Sequence, residues 1–438
     1  MEILLIIIFN IVIFSKKIFF DIVVDDLNWY TYITKMKIDI KNLPITLSRK
    51  LYGGGTFGEN KIIDHSFSIL INTTIAILIY SIFNNNISFW AAILYSCHPA
   101  NNQTSLWLNG RRYAISIILV LTSLKIGAWG IILYPIIPYF QINGIFLPIL
   151  MMKHNIYFAA LIPIFFIFGK FHIIKWFNNR FKEIPEGEYK NYSPRRMIVV
   201  IKTYGFYFFK MLLPVKIQFY YKDLYFWGLS HEGNKDAYSL NLSFYSGILA
   251  IASTIIMFIF IPNEYIYMLC FMVLAILQWS NIITATATLA DRYMSMPNVF
   301  MMFFLSYFIN TYTGQYANTI LVGFTVFYTC KLFEVMKQYE NIESFYQYNV
   351  FHNKYDVSCR INKTADLIQA GDIQRAFVIL REGLHYNPND FKFLFMTACC
   401  LFRLGDKVQA KEMMNKARNN YYLGQEKKLT DLVNETLI

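Results

Sequence analysis

Two adjacent carboxylates, Asp25 and Asp26, directly follow the first apolar segment in the run Ile-Val-Val-Asp-Asp-Leu-Asn-Trp-Tyr, which puts them at a membrane surface beside aromatic rings. Repulsion and partial burial separate the pKa values of such neighbours, so one can act as a general base while the other holds a divalent cation or an acceptor group. A solvated helix terminus would use the same two residues. Farther on, Cys97-His98-Pro99 closes a short apolar segment, and Trp107-Leu108-Asn109-Gly110-Arg111-Arg112 leads into the next. Guanidiniums at that depth suit two-point binding of a phosphate; snorkelling at a headgroup boundary is the other use of such residues. Lys153-His154 interrupts a third apolar run, and Ala290-Asp291-Arg292-Tyr293-Met294-Ser295-Met296-Pro297 separates two more. Asp291 and Arg292 either serve a site or pair with each other. Together these groups offer a base, cations for a phosphate and interfacial polar side chains.

The elements that must position them are apolar. Of 438 residues 56% are hydrophobic and 18% aromatic, a composition that points to a multi-pass membrane protein. The net charge of +12 is accounted for by Lys and Arg at lipid headgroups, so nucleic acid is not an expected partner. About eleven spans are predicted, near 2–20, 65–83, 87–98, 113–126, 128–150, 155–169, 197–214, 243–261, 264–283, 298–313 and 316–333. The first of them lacks a basic start and a small-residue cleavage site, and reads as a retained span. Loop 170–196 holds seven basic residues against three acidic ones, whereas the first loop, 21–64, is balanced. Loop 170–196 is therefore the cytoplasmic candidate. The first loop, the loop at 215–242 and the carboxy-terminal tail would face the other side, and the segments at 25–26, 98–112, 153–154 and 291–293 would gather there.

Other residues carry less. Gly53-Gly54-Gly55 with Gly58 lacks the strand-to-helix setting of a phosphate loop. The six cysteines show neither metal spacing nor a disulfide framework. His65, His172, His231, His352 and His385 show no metal-ligand spacing either. The tail, 340–438, is rich in charge and repeats small residues at a 34-residue offset, Gly371, Ala376, Gly383 and Pro388 in one copy and Ala398, Gly405, Ala410 and Ala417 in the next. That is the pattern of two tetratricopeptide-like helical hairpins, with residues 339–361 expected to add a helix or dock on the membrane domain 1–335.

These motifs, in this order, resemble the transmembrane and tetratricopeptide-repeat protein O-mannosyltransferases and their bacterial relatives, in the C-type glycosyltransferase superfamily. Asp25-Asp26 resemble the acidic pair of that family's first external loop, and His98-Pro99 with Asn109-Gly110-Arg111-Arg112 its His-Pro and Gly-Arg elements. Lys153 is similar to its motif lysine, residues 207–214 to its aromatic-to-Leu-Pro segment, and residues 291–297 to its acid-Arg-Tyr-x-x-x-Pro signature. His154 stands where the family has an acid, Met152 where it has Ser, and the tail is shorter than the arrays of animal relatives. The resemblance implies an all-α polytopic enzyme of a bacterial inner membrane or its equivalent, with its repeats on the non-cytoplasmic side. It would move a sugar from a polyprenyl-phosphate donor to a hydroxyl of a protein or glycan with inversion. Asp25 would be the base and Asp26 its helper; Arg111, Arg112 and Arg292 would take the phosphate charge, and His98, Lys153 and Tyr293 would line the site. A flippase for a lipid-linked sugar, or a non-catalytic scaffold recruiting a protein partner through its repeats, are the rival expectations.

Overall fold

The computed structural model describes residues 1–20, 60–134, 136–137, 142–161, 194–215, 217, 240–280, 289–352 and 357–419, and among these every regular element is helical. Asp25 and Asp26 lie outside the described residues.

Helix α1 (Glu2–Phe14) runs into a tighter turn at Ser15–Phe19, and α2 (Lys61–Phe83) starts where the Asn60 side chain accepts the Ile63 N–H. Helix α3 (Asn86–Cys97) opens with a reciprocal Asn85–Ser88 capping box. It ends at His98, which Pro99 forces into an extended conformation. Short α4 (Asn102–Ser105) leads to α5 (Arg111–Lys125). The region read as a span at 128–150 holds tight turns at Gly127–Leu133 and Ile142–Phe146 and the five-residue α6 (Leu147–Met151). The glycines and prolines within it interrupt any longer helix. Then come α7 (Pro194–Leu212), α8 (Leu242–Phe260), α9 (Ile266–Gln278), α10 (Ser295–Thr313) and α11 (Ala317–Met336).

Three helical stretches are long and apolar enough to cross a membrane: α2, α8 and Ser295–Tyr339. The third is a hairpin. It folds at Gly314, whose φ of +53° favours glycine. Beside that fold Asn310 accepts from Asn86 and Asn318 from Trp90, whereas Asp291, just before α10, and Tyr339, just after α11, both bond to the one side chain of Asn102. Helices α3 and α9, at 12 and 13 residues, are shorter than the ~20 residues that a full crossing needs.

The helical bundle thus has two ends. At one, hereafter the polar end, lie residues 15–20, 60–64, 98–112, 289–294 and 337–340. At the other, Tyr80 bonds Glu2, and Lys125 reaches the Ser81 carbonyl. Between them Asn10 donates to Ser96 and accepts from Asn72, tying α1, α2 and α3 in the bundle interior. Helices α7 and α8 touch backbone to backbone, since a Cβ on Gly205 would stand 2.5 Å from the Gly247 Cα.

Beyond Tyr339, α12 (Ile342–His352) buries Phe345 and Tyr346 in the large core of the bundle. Helices α13 (Val357–Gln369), α14 (Ile373–Tyr386), α15 (Phe391–Arg403) and α16 (Lys407–Asn419) form two hairpins with a small core of their own around Ala376, Leu380, Phe393 and Cys400. Each hairpin turns at a positive-φ glycine, Gly371 or Gly405, followed by an aspartate, Asp372 or Asp406, that caps the next helix. Ala376 and Ala410 are buried at matching positions, as are Gly383 and Ala417.

Candidate functional site

The polar end is assembled around α4. Gly110 fixes it, because a Cβ there would sit 1.6 Å from the Gln103 carbonyl oxygen. Only glycine lets the start of α5 lie against α4 this closely. Successive residues of a helix point about 100° apart, so the two arginines after Gly110 part company. Arg111 turns inward and is fully buried, with Nη1 2.8 Å from Asp64 Oδ1 and Nε 2.8 Å from Ser68 Oγ. It also donates to the Asp64 carbonyl and stacks over Phe67. This arginine neutralises a buried carboxylate, which takes it out of the expected phosphate-holding set. Arg112 stays half-buried, donates to the Tyr113 hydroxyl at 2.7 Å and lies over that ring.

The turn Asp291–Tyr293 meets α4 from the other side. Asp291 is buried, with Lys210 Nζ 3.2 Å from one oxygen and Asn102 Nδ2 2.9 Å from the other. Burial pushes its carboxyl up to about 6, against the opposing pull of Lys210 and Asn102. Arg292 donates from Nη1 to Gln103 Oε1 at 3.1 Å and faces the Trp107 and Tyr293 rings. Tyr293 lies flat on Trp279, ring centres 3.8 Å apart. Adjacent residues of α4, Asn102 and Gln103, therefore hold adjacent residues of the turn, Asp291 and Arg292. Both Arg112 and Arg292 lie against the Tyr113 phenol, so two guanidiniums from distant parts of the chain converge on one hydroxyl.

Two further expected site residues stand elsewhere. His98 is fully buried and both ring nitrogens are engaged: Nε2 donates to the Met211 carbonyl at 3.0 Å, and Nδ1 accepts the Ala100 N–H at 3.2 Å. Its ring packs edge-on against Tyr328. His98 staples α3, α7 and α11 together and does not line an open site. Lys153 is exposed and lies over the Phe83 ring. Phe83 ends the helix whose first turn carries Asp64, about 28 Å away along the axis at the usual rise. Lys153 is thus at the opposite end, and the expected gathering of 153–154 with the other polar segments does not occur. The cause lies in 127–151, which starts and finishes at that same end: a Cβ on Gly127 would stand 3.7 Å from His154.

Sequence reading missed Asp64, Asn102, Gln103, Tyr113, Lys210 and Tyr339. Two signals point toward them: the polar run Asn101-Asn102-Gln103-Thr104 amid apolar segments, and Lys202 and Lys210 inside an aromatic-rich span. Among the described residues no group of three His, Cys, Asp or Glu side chains is placed to hold a metal ion. No protein-family model, no curated protein and no solved structure matches this chain.

Proposed function

We propose that this protein is a polytopic membrane glycosyltransferase that moves a sugar from a polyprenyl-phosphate donor to a hydroxyl of a protein or glycan on the non-cytoplasmic face. The observation that carries this reading is the convergence of Arg112 and Arg292 on Tyr113 at the end of the bundle where the first loop, with its Asp25-Asp26 pair, leaves and returns, at Phe20 and Asn60. Two planar, half-buried cations beside aromatic rings at headgroup depth suit a phosphate diester whose lipid tail stays in the bilayer. In the transfer, Asp25 takes the proton of the acceptor hydroxyl while that oxygen bonds the anomeric carbon from the face opposite the phosphate. The carbon–oxygen bond to phosphate breaks, its electron pair leaves with the lipid phosphate, and Arg112 and Arg292 hold the charge that develops. Inversion follows from a single displacement with no covalent enzyme intermediate. Asp26 assists Asp25, or holds a divalent cation beside it. The two tail hairpins, with equivalent glycines at 371 and 405, read as tetratricopeptide-like repeats that present a surface to an acceptor or protein partner.

Mass spectrometry of glycans from cells with and without the protein, and with Asp25→Asn or Arg112→Lys plus Arg292→Lys, tests this. A sugar addition should vanish without the protein and fall about 10²–10⁴-fold with Asp25→Asn. Unchanged glycans in every variant would sink the enzyme reading and favour the flippase or scaffold.

A further inference from the structure

We infer that Tyr339 and Asn102 are positioning residues for Arg292, so that the first turn beyond the membrane domain sets the geometry of the proposed phosphate site. The inference rests on the reading of Arg292 as a phosphate-holding cation. Tyr339 is buried, and its hydroxyl donates to Asn102 Oδ1 at 2.5 Å. The Asn102 amide, also buried, donates to the Pro99 carbonyl and to Asp291 Oδ2, each at 2.9 Å. Lys210 takes the other Asp291 oxygen. The Asp291 carbonyl then closes the turn by accepting the Met294 N–H at 2.9 Å. With the carbonyl oxygen of Asn102 engaged by Tyr339, its amide nitrogen must face Asp291, which fixes the backbone that carries Arg292. The guanidinium is held in turn by Gln103, the next residue along α4.

The tail root is anchored where this chain of bonds begins. Glu340 pairs with Lys16 at the end of the first apolar segment, and Gln338 accepts from Asn349 of α12 at 3.1 Å. Tyr339 therefore sits between two contacts that hold the tail root, and its hydroxyl carries a bond from that root to Asn102. Removing the Tyr339 hydroxyl strands a buried acceptor on Asn102 and frees the turn.

The test uses the full chain in nanodiscs. Tyr339→Phe keeps the ring that packs on Phe345 and removes only the donor. Modification of Arg292 and Arg112 by phenylglyoxal, followed by mass spectrometry, reads the two guanidiniums separately. Arg292 should react roughly 3- to 10-fold faster in Tyr339→Phe, the scale of one buried hydrogen bond, while Arg112 changes less than about twofold. Phe345→Leu, which loosens the packing of the tail root and leaves the hydroxyl in place, should not reproduce the effect. Equal Arg292 rates in wild type and Tyr339→Phe, or equal acceleration by Phe345→Leu, would overturn the inference. Binding of a polyprenyl phosphate to the same proteins keeps the two ideas apart. If Arg112→Lys and Arg292→Lys bind it normally the phosphate reading fails, and the phenylglyoxal rates still decide the positioning.

Discussion

Arg111 and Arg112 are neighbours in sequence, yet they end in regions of opposite character. Arg111 belongs to the interior: with Asp64 it makes a buried pair in which charge cancels and Ser68 fills a remaining donor. Arg112 faces the turn that carries Arg292, and there two half-buried cations meet against Tyr113. Among the described residues the structure therefore separates charge that holds helices together from charge gathered at the polar end. The difference teaches that adjacent arginines at the start of a helix cannot be assigned as a unit, because one step along a helix decides which region each side chain joins.

The sharpest way to break this comparison is to remove each guanidinium in turn. Arg111→Met leaves Asp64 charged and buried, and should cost about 3–5 kcal/mol, seen as loss of folded protein or a large fall in unfolding temperature in detergent. Adding Asp64→Leu should recover most of that loss. Arg112→Met should change stability by about 1 kcal/mol or less. Equal losses at the two positions would show that the arginines do one job.

Asp291 sharpens the comparison through pH. Its folded carboxyl lies near 6, above its ordinary value. Folding thus favours the neutral form, and that contribution is complete below about pH 4 and lost as pH rises through 6. Above that point the charged carboxylate depends on Lys210. A protonated-carboxyl band in the infrared spectrum should disappear between about pH 5 and pH 7 and be missing from Asp291→Asn. A band that survives in Asp291→Asn would belong to another group and would remove the argument.

The smallest effect concerns the far end of the domain. Lys153→Ala should alter stability by no more than about 0.5 kcal/mol and leave polyprenyl phosphate binding unchanged. Markedly weaker binding would put Lys153 back among the site residues.

Much of the helical plan was legible in the chain, because hydropathy reports burial and length directly. The caps at Asn60 and Asn85, the stop at His98-Pro99 and the repeated turns at Gly371 and Gly405 follow from local chemistry that any reader of the sequence can apply. Crossing number was the part that local signals could not give. Residues 128–150 are apolar enough to suggest a span, yet their glycines and prolines leave tight turns that keep Lys153 at the end where α5 finishes. Of the site, the sequence pointed to Arg112, Arg292 and Tyr293. It gave no sign that Arg111 would find Asp64, or that Asn102 would meet both Asp291 and Tyr339, because those partners are set by tertiary approach across 47, 189 and 237 residues.

The Asn10, Asn72 and Ser96 cluster bears on how the bundle assembles. These residues lie on α1, α2 and α3, and inside the bundle each finds its partner on another of the three. An α1 packed against apolar surroundings alone would keep the Asn10 amide only partly satisfied by its own helix. Docking α1 onto α2 and α3 supplies the missing partners, so the three helices should assemble as one unit against which the rest of the bundle packs.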